Sequence, residues 1–544
     1  MALQKNKVYH AEFTGYTAEG SAVAHIDGMT VFVPGGAVGD QCDVKILKVT
    51  KRLAYGKIER IRVRSKHRIE PACPHADKCG GCCYQHLTYE EELRAKARKV
   101  SDALQRIGGL PDILQGITGS EHITHYRNKA QFPVADTENG PCTGFFRPRS
   151  HDIIPVSDCL ITDLVANQIA SLVCDWMKEY DIPAYQETTH TGLIRHIYVR
   201  TGVASGEAHL CLIATRAKLP HTQELITQLT QAVPSLTGIV LNVNKRTDNV
   251  ILGDRTLLLW GMEELEDILC GHVFRLSPHA FYQVNHAQAE RLYACALEFA
   301  QLTGQETVMD LYCGAGTITL TLAEHAAHVI GVEIVPEAIE NAKLNAARND
   351  VQNVEFLCAD AGQAAMMFAA RQEHPDVLTV DPPRKGLSTE AIDAIVQMAP
   401  SRVVYVSCDP ATLARDCKLF CAQGYQAVRA QAFDLFPRTH HVETVVLLSK
   451  LNAKQHIEVE LNLDELDLTS AESKATYDEI KAYVLEHTGL KVSHLYIAQV
   501  KQKYGIIERE NYNKPKSENS RQPKCPPEKE AAIMEALKHF QMLE

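Results

Sequence analysis

Residues 308–319 read VMDLYCGAGTIT, an apolar, strand-like stretch that stops at a glycine-rich turn and leads into a helical segment. Gly314 and Gly316 would let the backbone approach a ligand closely, with the amino end of a helix behind it. The spacing differs from the G-x-G-x-x-G of dinucleotide sites. The next strand-like stretch, HVIGVEI, ends near Glu333, where a carboxylate can accept hydrogen bonds from ribose hydroxyls. Together these features predict a site for a nucleoside-type cofactor.

The same strand–loop–helix pattern continues from about residue 290 to 450. The strand-like segments are TVMDLYCG, HVIGVEIV, VEFLCAD, DVLTVDPPR, RVVYVSCDP and VETVVLLSK. This alternation predicts an α/β fold with a doubly wound, mostly parallel sheet, whose ligands bind at the carboxyl ends of the strands. The pattern D-x-x-C-G-x-G followed by Glu333 resembles the class I S-adenosylmethionine (SAM) methyltransferases, which implies a Rossmann-like sheet that binds S-adenosyl-L-methionine. The loop Asp381-Pro-Pro-Arg384 has an arginine where amino-methylating enzymes have an aromatic residue, which argues against N-methylation.

Cys408 and Glu443 are a candidate nucleophile and base. Cys408 follows the apolar segment VVYV, and a cysteine at the carboxyl end of a strand near a cofactor is well placed for nucleophilic catalysis. Uracil C5 is a poor nucleophile, but a thiolate that adds at C6 makes C5 nucleophilic, and a base must then remove the C5 proton. Because methylation of nitrogen or oxygen needs no such step, this pair favours pyrimidine C5 as the acceptor. The alternatives are a buried apolar thiol and a surface carboxylate.

Residues 1–65 form short alternating segments broken by glycines, which predicts a small β-barrel of the OB type that can bind oligonucleotides. Residues 1–70 carry 12 Lys and Arg against 7 Asp and Glu, whereas the whole chain has 56 against 67 and a net charge of −11. A basic module on an acidic body is compatible with RNA binding, because only the contact face needs positive charge. The alternative is a barrel that only packs against the rest of the chain.

The chain has 17 cysteines and neither a secretory signal nor an apolar stretch long enough for a membrane helix. We therefore expect a cytoplasmic protein whose thiols are reduced, with no membrane partner and no obligate protein partner. In PACPHADKCGGCC, Cys73, Cys79 and Cys82 have the spacing of metal ligands. With a fourth thiolate they would suit either zinc or a [4Fe–4S] cluster.

Seven motifs carry a wider resemblance. They are YRNKAQF (126–132), GLIRHIYVR (192–200), FYQVN (281–285), DLYCGAG (310–316), DPPRKG (381–386), SCDP (407–410) and HVET (441–444). In this order they resemble the RNA uracil-C5 methyltransferases, over about residues 10–450. The branch they resemble is that of the 23S ribosomal RNA enzymes, which combine an N-terminal barrel of the TRAM type with a cysteine-bound iron–sulfur cluster. The resemblance implies SAM-dependent formation of 5-methyluridine in 23S ribosomal RNA, a step of rRNA processing.

The resemblance also implies roles for individual residues. It makes Cys408 the nucleophile and Glu443 the base. The residues expected to bind SAM are Gln283, Tyr312, Gly314, Glu333 and Asp381. The expected ligands of the [4Fe–4S] cluster are Cys73, Cys79, Cys82 and Cys159, and spacing leaves Cys83 and Cys142 as alternatives for the fourth.

RNA recognition by this kind of enzyme requires a flipped target base and aromatic stacking surfaces. We expect Phe281 to contact the base. Other candidates for RNA contact are Phe132, Phe145 and Tyr282, beside Arg127, Lys129, Arg147, Arg195 and Arg200.

The predicted architecture has four parts: a TRAM or OB-like barrel at 1–65, a central α+β domain with the iron–sulfur cluster at 66–270, a SAM-dependent methyltransferase domain at 271–450 and a helical extension at 451–544. The extension could resemble a helix-turn-helix or be a solvated tail. A tRNA uridine C5-methyltransferase is an alternative, although residues 1–82 argue against it. Another alternative is a non-catalytic RNA-binding ribosome assembly factor, against which Cys408 and Glu443 argue.

Overall fold

The computed structural model describes residues 3–371, 373–451, 477–504 and 525–540. The chain divides into two compact units, Met1–Ala453 and Lys454–Glu544. Within the described ranges, no helix is both long and apolar enough to cross a membrane.

The N-terminal strands close into a barrel. They are β1 (Val8–Tyr16), β2 (Ala22–Ile26), β3 (Met29–Val33), β4 (Gln41–Val49) and β5 (Leu53–Val63), in the order β1-β2-β3-β5-β4. Alternating apolar side chains fill the interior, among them Phe13, Val31 and Ile46. Gly56 is required here, because a Cβ atom at that position would lie 2.5 Å from Cγ1 of Val44. Closure leaves the barrel without a free sheet edge.

A seven-stranded sheet forms the core of the central part. Its strands and helices are β7 (Lys129–Thr137), β8 (Gly140–Phe146), β9 (Ile153–Pro155), α2 (Leu164–Glu179), β10 (Ile194–Thr201), β11 (Ala208–Ala214), α3 (Thr222–Ala232), β12 (Leu236–Val243) and β13 (Arg255–Gly261). The strand order is β13-β12-β11-β10-β7-β8-β9. Helices α2 and α3 cover the sheet with an apolar face that includes the fully buried Trp176.

An eight-stranded sheet carries the cofactor-type turn. Its elements are α1 (Tyr89–Arg106), β6 (Leu114–Thr118), α4 (His286–Ala300), β16 (Thr307–Leu311), α5 (Thr317–Ala323), β17 (His328–Glu333), α6 (Pro336–Arg348), β18 (Val354–Cys358), α7 (Ala361–Arg371), β19 (Val377–Val380), α8 (Thr389–Met398), β20 (Arg402–Ser407), α9 (Pro410–Ala422), β21 (Tyr425–Phe433) and β22 (Glu443–Lys450). The order is β18-β17-β16-β19-β20-β22-β21-β6. The first five strands are parallel and β22 is antiparallel to β20, so the sheet is doubly wound, as the alternation predicts.

The sheet to which the outermost strand belongs is not the one that the predicted domain boundaries imply. Strand β6 lies within the range 66–270 that we assigned to the central domain, yet it pairs in parallel with β21. The preceding helix α1 also packs on α9, with Val100 and Leu104 in the core of this sheet. A five-residue strand carries no local signal that specifies which sheet it joins, because its partners are set by tertiary packing.

A two-stranded ribbon of β14 (Leu265–Leu269) and β15 (His272–Leu276) precedes the loop 277–285, which leads into α4. The second unit contains α10 (Tyr477–Thr488), α11 (His494–Lys503) and α12 (Pro527–His539), packed around apolar side chains such as Ile480, Ile497 and Ile533. The remaining parts of the extension predicted at 451–544, residues 452–476, 505–524 and 541–544, lie outside the described residues.

Candidate active site

The glycine-rich turn after β16 holds an unusual backbone conformation. Tyr312, Gly314 and Gly316 have positive φ angles of 66°, 54° and 86°. A Cβ atom on Gly314 would meet nothing within 4 Å, so glycine is favoured there by its left-handed conformation rather than by close packing. Asp310 stabilises the turn, because its carboxylate accepts hydrogen bonds from the hydroxyls of Thr319 at 2.6 Å and Thr379 at 2.7 Å.

Glu333 is held in place at the end of β17. One carboxylate oxygen accepts hydrogen bonds from the N–H groups of Ile334 at 2.9 Å and Val335 at 3.0 Å, and the other accepts one from Gly314 at 3.3 Å. The carboxylate therefore has a fixed orientation at the rim of the turn. Its remaining acceptor capacity suits a ligand with hydroxyl donors, such as a ribose.

A cavity of about 770 Å³ opens at the carboxyl ends of the parallel strands. It brings together all the residues predicted to bind SAM or to act in catalysis: Gln283, Tyr312, Gly314, Glu333, Asp381, Cys408 and Glu443. Phe281 also lines the cavity and is 66% exposed, so its ring is free to contact a ligand.

The ladder between β20 and β22 places the two candidate catalytic residues together. Ser407 is paired with Thr444 in this antiparallel ladder, so the next residue on each strand, Cys408 and Glu443, follows the same register. Asp381 follows β19, the parallel neighbour of β20. Three acidic side chains from three adjacent strands thus line one cavity.

Burial and mutual repulsion raise the pKa of each of these three groups. The pKa of Cys408 is raised to about 11 by burial and by the charges of Glu443 and Asp381. Burial and the charge of Asp381 raise the pKa of Glu443 to about 8, and burial together with Asp310 raises that of Asp381 to about 7. Arg384 opposes the shift at Cys408 and at Glu443. A cationic ligand in this cavity would act in the same direction as Arg384, because positive charge favours the ionised form of an acid.

The cavity is also lined by residues that the sequence did not assign to it, among them Asp360, Phe436 and His441. The pKa of His441 is lowered to about 3 by burial and by nearby positive groups, so its imidazole is neutral at ordinary pH. The signal for His441 was its place two residues before Glu443 in HVET. Asp360 is a strand-end acid like Glu333, and the order of parallel strands brings it to the same edge. Nothing in the sequence marked Phe436.

The candidate cysteine site is a separate, small cavity of about 40 Å³. It is lined by Cys73, Cys79, Cys82 and Cys159 together with His75. The two alternative ligands lie elsewhere: the Cys83 thiol faces Nδ1 of His440 at 4.0 Å, and Cys142 does not line the cavity. The described part of the chain nevertheless contains no group of three or more His, Cys, Asp or Glu side chains arranged to hold a metal ion. The thiols of the described chain therefore share a cavity but are not arranged as the coordination sphere of a single metal ion.

Several side chains that we expected to contact RNA are instead buried. Phe132 is 1% exposed and Tyr282 3% exposed, and both belong to apolar cores. Arg195 and Arg200 are also buried, and Arg200 donates hydrogen bonds to the hydroxyl of Tyr198 and to the carbonyl of Ala280. The expectations for Arg195 and Arg200 were wrong because β10 is buried on both faces, so its sequence gives no sign of which side chains face solvent. The expectation for Phe132 was wrong because its ring packs in the core of the central sheet. Tyr282 lies in the loop 277–285 and, although buried, lines the active-site cavity.

Comparison with known proteins identifies the family of this chain. Residues 88–451 match the family described as tRNA (Uracil-5-)-methyltransferase, and residues 2–58 match the TRAM domain. A protein of Clostridium tetani, named an uncharacterized RNA methyltransferase, is 41% identical over 83% of this chain and 98% of its own length. A protein of the same description from Clostridium acetobutylicum is 42% identical, with the same two coverages.

Among solved structures, the Pyrococcus abyssi tRNA (uracil-54, C5)-methyltransferase in complex with S-adenosyl-L-homocysteine superposes with a TM-score of 0.66. It is 25% identical, and the match covers 81% of this chain and all of that one. The fold and the site define a SAM-dependent RNA methyltransferase with an N-terminal TRAM domain. More narrowly, the chain belongs to the tRNA (uracil-5-)-methyltransferase family.

Proposed function

We propose that this protein methylates C5 of a uridine in 23S ribosomal RNA to form 5-methyluridine. The observation that carries the proposal is the juxtaposition of Cys408 and Glu443 in the cavity that also contains the SAM-type turn. A methyltransferase that acts on nitrogen or oxygen needs neither a nucleophilic thiol nor a late base.

In the proposed mechanism, Cys408 acts first. Its thiol proton leaves to water, and the thiolate forms a bond to C6 of the uracil while the π electrons move towards C5 and O4. Arg384 assists because it favours the thiolate. When bound, S-adenosyl-L-methionine supplies an electrophilic methyl group, which C5 attacks.

Glu443 then completes the reaction. Its carboxylate takes the proton from C5, the electron pair of that C–H bond restores the C5–C6 double bond, and the bond between C6 and the sulfur of Cys408 breaks. The raised pKa of Glu443 suits this role, because a base whose pKa lies near the working pH both accepts and releases a proton readily. Net products are the methylated base, the demethylated donor and one proton.

The reaction needs an extruded base, because a stacked uracil cannot reach a thiol inside a cavity. We assign Phe281 to contact with the flipped base, since its ring is exposed at the mouth of the cavity. The TRAM barrel supplies the electrostatic contact with the RNA backbone, in line with the excess of Lys and Arg over residues 1–70.

The chemistry is tested with RNA that contains 5-fluorouridine. Fluorine at C5 cannot be removed as a proton, so a covalent complex between enzyme and RNA should accumulate in the presence of SAM and survive denaturing electrophoresis. Cys408→Ala should abolish it, and Cys421→Ala, a thiol outside the cavity, should not. Absence of any complex with the unchanged protein would favour a non-catalytic RNA-binding assembly factor.

A tRNA uridine is the second candidate substrate, because the solved relative described above acts on uracil-54 of tRNA. Mapping of 5-methyluridine in ribosomal and transfer RNA from cells with and without the protein separates the two. Loss of a 23S site alone supports the proposal, and loss of the modification from tRNA alone overturns it.

We further propose that Cys73, Cys79, Cys82 and Cys159 hold a [4Fe–4S] cluster. The support is their shared cavity and the family resemblance, and a cluster separates its thiolates more widely than a single ion does. Burial, together with the neighbouring thiolates, raises the pKa of the Cys82 thiol to about 12, so bound cations would favour its ionised form. Anaerobic purification should give a brown protein with iron and sulfide, and Cys159→Ala should lose both. A colourless preparation that contains zinc would reject the cluster.

A further inference from the structure

A buried ionic cluster joins helix α1 to the loop 434–442 between β21 and β22. The ammonium group of Lys96 lies 2.7 Å from a carboxylate oxygen of Glu92 and 2.6 Å from one of Asp434. All three side chains are fully buried. Charges buried in this way need complete pairing, so removal of one partner is costly. The cluster therefore fixes the start of the loop against α1.

Arg438 is the central residue of this loop. It is 9% exposed and has a φ angle of 71°, a strained conformation for a residue other than glycine. Its backbone N–H donates to Glu92 at 2.6 Å, and Nη1 of its side chain donates to the carbonyl of Leu87 at 3.0 Å and lies 3.5 Å from Glu92. Its carbonyl accepts hydrogen bonds from the N–H groups of Cys83 at 3.0 Å and Tyr84 at 3.1 Å.

These contacts connect two sites. Residues 79–84 contain Cys79 and Cys82 of the cysteine cavity, and the loop 434–442 contributes Phe436 and His441 to the wall of the active-site cavity. The carbonyl of Phe436 accepts a hydrogen bond from Lys96 at 3.1 Å, so the same cluster holds this wall residue directly.

We propose that Arg438 is a positioning residue that couples the cysteine-bearing segment 79–84 to the active-site wall formed by Phe436 and His441. Arg438 does not line the active-site cavity, so its role is to position other residues. It acts by holding the strained backbone whose carbonyl accepts the hydrogen bonds from Cys83 and Tyr84. The catalytic consequence rests on the proposed uridine methylation, whereas the structural coupling does not.

The test compares Arg438→Met with Arg438→Lys and Arg68→Met. A lysine can replace the arginine, because one guanidinium nitrogen makes both side-chain contacts. Arg68 is a matched control: its side chain pairs with the buried carboxylate of Asp40 at 2.5 Å and donates to the carbonyl of Gly35, and both partners belong to the N-terminal barrel region instead of the loop 434–442.

In Arg438→Met we expect kcat to fall by about 100-fold, the loss that a misplacement of about 1 Å can cause, with little change in KM for SAM. Amide hydrogen exchange should become faster in 79–84 and in 434–442 together. Arg438→Lys should restore both readouts, and Arg68→Met should change neither.

Faster exchange in only one of the two segments, or in neither, would overturn the coupling. Equal loss of kcat in Arg438→Met and Arg68→Met would show a general loss of stability instead of positioning. If the unchanged protein neither methylates RNA nor forms the 5-fluorouridine complex, the proposed function fails, and the paired exchange measurement still decides the coupling.

Discussion

Replacement of Glu443 by glutamine should abolish methylation and, at high pH, stabilise the protein. Burial and Asp381 raise the pKa of Glu443 from its ordinary value of 4.5 to about 8. The folded state therefore binds this proton more tightly than the unfolded state, and the free energy of unfolding falls as pH rises from 4.5 to 8. Glutamine does not titrate in this range, so the Glu443→Gln variant does not show this fall in the free energy of unfolding.

The size of the effect follows from the pKa difference. Each unit of pKa corresponds to about 1.36 kcal/mol, so the advantage of Glu443→Gln over the unchanged protein should grow by about 4 kcal/mol between pH 5 and pH 9. This is an upper value, because the Asp381 carboxyl titrates nearby and water can enter the cavity. The measurement is chemical denaturation of both proteins at the two pH values, monitored by far-ultraviolet circular dichroism.

Glu306→Gln is a control, because the pKa of Glu306 is shifted in the opposite direction to that of Glu443. Burial raises the pKa of Glu306, but hydrogen bonds from the backbone and hydroxyl of Thr303 outweigh it and lower the pKa to about 2. The effect of this substitution on the free energy of unfolding should be nearly constant between pH 5 and pH 9, since the Glu306 carboxyl is ionised in both the folded and the unfolded protein. A stability advantage of Glu443→Gln that is the same at both pH values would refute the reasoning, as would a variant that still methylates RNA at the normal rate.

Three other perturbations follow from the structure. Arg384→Met should raise the pKa that governs kcat/KM, because Arg384 opposes the upward shifts at Cys408 and Glu443; an unmoved pH profile would count against it. Cys159→Ser should lose bound iron whereas Cys142→Ser keeps it, as read by metal analysis of anaerobic protein; equal iron in both would contradict the assignment. A chain ending at Ala453 should keep full methylation activity, because relatives that match over 98% of their own length align with only 453 residues; a large loss would give the second unit a role in catalysis.

The catalytic sheet and most of its site could be predicted from the sequence because they depend on local signals. Gly314 and Glu333 mark the ends of consecutive parallel strands, and the carboxyl ends of such strands meet at one edge of a sheet. Cys408 and Glu443 could be paired on chemistry alone, and the antiparallel register of β20 and β22 supplies the physical link.

What could not be predicted depends on contacts distant in sequence. Arg200 is indistinguishable in the sequence from a surface arginine, and only the packing of its strand against the loop 277–285 buries it. Phe436 and Arg438 owe their places to α1, more than 300 residues earlier in the chain. The thiols of the cysteine cavity could be grouped by spacing, but neither spacing nor their shared cavity specifies the metal.

The pairing of β6 with β21 has a consequence for biosynthesis. The ribosome completes α1 and β6 early and must then synthesise the central sheet and nearly all of the catalytic sheet before β21 emerges. The catalytic fold therefore cannot close until its last strands are made. A fragment that starts at residue 271 would leave β21 as an open edge, and we expect such a fragment to self-associate through that edge.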